Sequence, residues 1–112
     1  MGYRDPSPPK WQLPDASNLY GSIETSASRE AIAQAFANAG WEVHKCGFEE
    51  HRLEAPFAEL VLDSERPFLI HGLVAEVTIN VRLVADVLRG TGAHFSLECY
   101  SESGELLATV TS

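Results

Sequence analysis

The spacing of apolar residues changes period several times along this 112-residue chain, and those changes constrain its fold most tightly. Strict alternation suits a strand with one buried face, whereas apolar positions three and four apart suit a helix with one buried stripe. Leu19, Gly21 and Ile23 alternate with Tyr20, Ser22 and Glu24, which predicts a first strand over 19–25. Ser26 and Ser28 then offer cap oxygens, Glu30 suits a first turn, and Ile32, Ala35, Phe36 and Ala39 recur at helical spacing until Gly40.

Residues 41–48 are rich in strand formers, but Trp41 and Val43 share one parity while Cys46 and Phe48 share the other. A bulge near Gly47 would repair that register. The polar stretch Glu49–Glu54 reads as a loop. Phe57–Asp63 reads as a strand with Ala58, Leu60 and Leu62 on one face and Phe57 and Val61 on the other. Ser64–Pro67 is a turn, and Phe68–His71 a short buried strand ended by Gly72. Over 74–89 the stripe Val77, Val81, Val84, Leu88 predicts a second helix despite its β-branched content. A closing hairpin follows, with Phe95, Leu97 and Cys99 inward on one strand and Leu106, Ala108 and Val110 on the next.

The resulting order, β-α-β-β-(β)-α-β-β, predicts an α+β fold of the ferredoxin-like, split βαβ type. Its antiparallel sheet would carry two helices on one face and an extra C-terminal strand. Residues 1–18 hold Pro6, Pro8, Pro9 and Pro14 and read as an extended arm before a single domain over 19–112, with Trp11 as the arm's main apolar anchor. Such a sheet should be polar on its uncovered side, yet Phe57, Val61 and either Trp41 or Phe48 fall there by parity. That surplus predicts a contact surface covered by the arm, a second subunit or a ligand.

Charge narrows the partners. Sixteen acidic residues against eight Lys and Arg leave the chain at −8, a field that repels phosphate backbones and anionic lipids. Nucleic acid and membrane surfaces are therefore not expected ligands, while a basic protein is, with Glu49 and Glu50 flanking the contact. Two cysteines and no charged-then-apolar opening segment predict a reduced, cytoplasmic protein, and no apolar run is long enough to span a bilayer.

Catalytic motifs are missing. There is no Gly-x-Ser-x-Gly, no Cys-x-x-Cys and no His-Glu-x-x-His, and Gly90-Thr91-Gly92 follows a helix instead of opening one. His44 and Cys46 could offer two ligands from one strand face but lack partners, so no metal or cofactor is predicted. The sequence thus points to a small acidic, non-enzymatic binding module, an adaptor, inhibitor or toxin-neutralising type, dimerising through an apolar sheet face. Trp11, Trp41, Phe48, Phe57, Val61, Glu49 and Glu50 are its predicted contact residues. The rival expectation is a small-ligand binder or enzyme with a pocket over that face, using His44, His71 or His94 as acid or base.

Overall fold

A computed structural model of the chain describes residues 16–47 and 50–112. Within them lie β1 (Ala16–Glu24), α1 (Arg29–Asn38), β2 (Glu42–Cys46), β3 (Glu50–Ala55), β4 (Ala58–Asp63), β5 (Phe68–Ala75), α2 (Val77–Gly90), β6 (His94–Tyr100) and β7 (Leu106–Thr111). The strands form one seven-stranded antiparallel sheet in the order β2-β3-β4-β5-β1-β6-β7.

The α+β class and the antiparallel sheet are as expected, but the ferredoxin-like order is not what the sheet shows. Three strands separate β1 from β2, so α1 crosses to the far edge and a four-strand meander returns to β1. The reason is β3. Glu50–Ala55, read from sequence as part of a loop, is a strand that puts His51, Leu53 and Ala55 on the covered side and pairs with both β2 and β4.

Alternation works as it should elsewhere. Leu19, Ile23, Leu60, Leu62, Ile70 and Leu97 are fully buried and share one core with Ile32 and Phe36 of α1 and with Val81, Val84 and Leu88 of α2. Both helices therefore lie on one face. Ser28 caps α1, its Oγ accepting from the Ala31 amide at 3.1 Å, and Gly40 follows the helix with a left-handed φ of 98°. β5 runs through Gly72 to Ala75, past the predicted stop, because the absent side chain makes room for β4. A Cβ there would meet the Glu59 carbonyl and stand 2.9 Å from Leu60 Cα. Val74 thus belongs to β5, and α2 begins at Val77, the first residue of its stripe and three residues after the expected start at 74.

Two further expectations about facing change. Trp41 is only 7% exposed and does not continue a strand; it precedes β2 and packs edge-on between Phe36 and Phe57, at centroid distances of 5.0 and 5.3 Å. Phe57, half-buried in the β3–β4 turn, joins the same core. At the C-terminal hairpin a register shift at Cys99/Tyr100 sets Leu106 opposite Tyr100, on the uncovered side, so Leu106 is 53% exposed while Ala108 and Val110 face in. Phe48 and Glu49 lie outside the described residues, as does the arm through residue 15, including Trp11. Among the described residues no helix is long and apolar enough to cross a membrane.

The Trp41 position yields a direct test. Trp41→Ala should lower unfolding free energy by about 3–5 kcal/mol in urea titrations, the range for emptying an aromatic site in a core. Tyr20→Ala, at a side chain 51% exposed, should cost about 1 kcal/mol or less. Equal losses would contradict the assignment of Trp41 to the core.

Candidate functional site

With both helices on one side, the alternate residues of all seven strands make a second face that no described element covers. Its middle is a register row: Glu98 of β6, Tyr20 of β1, His71 of β5, Val61 of β4, Arg52 of β3 and His44 of β2 stand directly side by side. The Tyr20 ring stacks on His71 at 6.5 Å and meets Tyr100 edge-on at 6.0 Å. Leu69 is 39% exposed beside them, while Val61 and Leu73 are half-buried. Of the predicted contact residues, Val61 is on this face as expected, Glu50 is exposed at its edge on β3, and Trp41 and Phe57 are on the opposite side.

Carboxylates crowd the β2–β4 half of this face, with Glu98 beside the tyrosines and Glu24 at the end of β1. Glu24, Glu42, Glu50, Glu54, Glu59, Asp63 and Glu98 all point to this face by register, against one guanidinium, that of Arg52. Glu42, Glu54 and Glu59 form a continuous cross-strand row, an arrangement in which like charges stand opposite each other. Tyr100 donates its hydroxyl to Glu98 Oε1 at 2.8 Å, and that bond, with the carboxylate charge, holds the phenol above its usual pKa.

Ser22 and Ser96 are paired across β1 and β6, and their short side chains leave a recess of about 270 Å³ walled by Tyr20, Leu69 and Glu98. An apolar ring on one side and a carboxylate on the other suit a cationic side chain. The other described recesses, about 230–320 Å³, are at the sheet ends and beside α1.

At the β2–β3 edge, Glu42, His44 and Glu54 offer three ligand atoms within 4.8 Å of one another. His44 Nε2 is 3.4 Å from Glu42 Oε1 and 3.8 Å from Glu54 Oε1. Of the described residues these are the ones spaced to share a metal ion. Cys46, paired with His44 from sequence, is not among them; its thiol reaches the His44 carbonyl at 3.9 Å. Cys99 is buried, and burial pushes its thiol up to about 11, so no thiolate is available there near neutral pH. His71 is engaged with Tyr20, and His94 opposes Glu24 at the start of β6.

No protein-family model matches the chain, and no curated protein or solved structure matches it. The tyrosine cluster was missed in the sequence because Tyr20 and Tyr100 are eighty residues apart and read as the wet sides of two separate strands. Their adjacency needs the β1–β6 pairing, which only the α2 crossover creates.

On the covered side His51 is a buried titratable group. His51 is 5% exposed, its Nδ1 has no hydrogen-bond partner, and it faces Lys45 across the strand pair. Burial first, then the positive charge of Arg29, lower its pKa below the ordinary 6.5; Glu30 pulls the other way, and Lys45 adds a smaller lowering. The unfolded chain therefore takes a proton before the folded one as pH falls through 6.5. Stability contributed by neutral His51 is complete above that value and drains away toward the lowered folded pKa. Urea unfolding from pH 7.5 to 5 should show a steeper loss for the native chain than for His51→Leu, and parallel curves would contradict this role.

Proposed function

We propose that the protein is a small non-enzymatic binding module that receives a basic protein partner on the open face of its sheet. One observation carries the reading: an exposed tyrosine cluster shares the face that no described element covers with seven carboxylates, five of them on β2–β4 and one, Glu98, beside the rings, against one guanidinium. Apolar rings provide the contact energy at such a site, while the surrounding charge steers the approach and selects against acidic partners. The recess beside Tyr20 and Glu98 has the chemistry to hold an arginine or lysine side chain from the partner.

Self-association through this same face, the expectation from sequence, fits the charges poorly. Stacking two copies would set carboxylate rows against each other in a chain that already carries −8. An adaptor, inhibitor or neutralising role remains consistent with the basic-partner reading, as does a cytoplasmic setting.

The test is capture from cell extract on the immobilised full chain, at low and at high salt. Retained proteins should be basic and should release near 1 M salt, where the screening length falls to about 3 Å. Tyr20→Ala and Glu98→Lys should each weaken retention about tenfold, equivalent to roughly 1.4 kcal/mol. Capture that ignores both substitutions and salt would refute the proposal.

A further inference from the structure

β2 and β3 bring three ligand-bearing side chains together at one edge of the sheet. Glu42 and His44 are two residues apart on β2, so both leave the same face, and Glu54 is the cross-strand partner of Glu42 on β3. This arrangement holds His44 Nε2 3.4 Å from Glu42 Oε1 and 3.8 Å from Glu54 Oε1. Around a tetrahedral ion with ligands at about 2.0–2.1 Å, neighbouring donor atoms stand roughly 3.4 Å apart. Two of the three separations are therefore already near that value. The third is at most 4.8 Å, and rotation of the Glu42 side chain, which is 72% exposed, closes it.

We propose that Glu42, His44 and Glu54 bind one zinc-class divalent cation, with water completing its shell. The donor set selects the ion. Calcium and magnesium take oxygen ligands, whereas an imidazole among carboxylates suits zinc and its first-row neighbours. Cys46, next on the same face of β2, turns its thiol to the His44 carbonyl at 3.9 Å, so the set contains no sulfur. A recess of about 260 Å³ walled by Gly40, Glu42, Glu54, Ala55 and Pro56 gives solvent access to both carboxylates.

Charge favours the same occupant. Glu42, Glu54 and Glu59 follow one another across β2, β3 and β4, and Arg52 stands opposite His44. Three carboxylates against one guanidinium leave a surplus of two negative charges, which a divalent ion cancels. Opposed like charges weaken a strand pair, and water screens little at Glu54, whose side chain is 9% exposed. Only the paired strands assemble the three donors. A bound ion would therefore clamp the edge strand β2 to β3 and stabilise the folded chain by mass action. β3 is three strands away from β1 and Tyr20, and the inference stands independently of the basic-partner reading.

Calorimetric titration of the full chain with zinc chloride, after chelator treatment and dialysis, should show one equivalent bound, and magnesium chloride at the same concentration should show none. His44→Ala, at a side chain 53% exposed, and Glu54→Gln, which keeps the side chain's shape, should each weaken zinc binding about tenfold or more with an unchanged circular dichroism spectrum. Cys46→Ser and Glu105→Gln should bind zinc as the native chain does. In histidine side-chain nitrogen spectra, zinc should move the His44 Nε2 resonance and leave those of His71 in place. No zinc uptake by the native chain, undiminished uptake by His44→Ala or Glu54→Gln, an unmoved His44 resonance, or lost uptake in Cys46→Ser would each overturn the proposal.

Discussion

One-sided burial governs this molecule. Every second residue of the sheet is packed against two helices, and the strands' parity then dictates everything on the other side. β1 sits at the centre of the sheet between β5 and β6, so Leu19 and Ile23 are wholly removed from water. Gly21 between them leaves no void. Leu97 and Ile70 fill the space where its side chain would be, and a Cβ there would stand 3.1 Å from Ile70 Cγ2. Loss of that registration would invert each strand and drive the face's carboxylates into the core, which makes the arrangement strongly self-selecting.

Much of this was legible in the chain. β1, β4 and β6 carry clean period-two alternation, α1 has its serine cap and glycine stop, and the Val77–Leu88 stripe defeats the β-branched bias of α2. β3 was hidden because two of its three inward positions are His51 and Ala55, which carry little hydrophobic signal, while its outward positions are charged. Missing that strand changed the topology, since the hairpin it forms with β2 is what carries α1 to the far edge. Trp41 was misplaced for a related reason: parity assigns it a face only if it lies in the strand, and it lies just outside, wedged against Phe36.

The expected apolar far side is narrower and more polar than alternation alone suggested. Its apolar part comprises Tyr20, Tyr100, Val61, Leu69, Leu73 and Leu106, with His71 among them, and most of the carboxylates lie to one side, on β2–β4. An exposed ring cluster beside an acidic half-sheet has a different meaning from a bare hydrophobic patch. It favours a partner able to satisfy charge on one side and apolar surface on the other, and it disfavours a copy of itself stacked face to face. The sheet edges complete this division, with charge guarding β2 and none on β7.

Chemical-shift mapping of the isotopically labelled chain, titrated with an arginine-rich peptide as the probe, tests the open-face assignment most directly. The largest perturbations should gather at Tyr20, Leu69, His71, Glu98 and Tyr100 and shrink as salt is added. Perturbations confined to α1 and α2, or spread evenly over the surface, would contradict it.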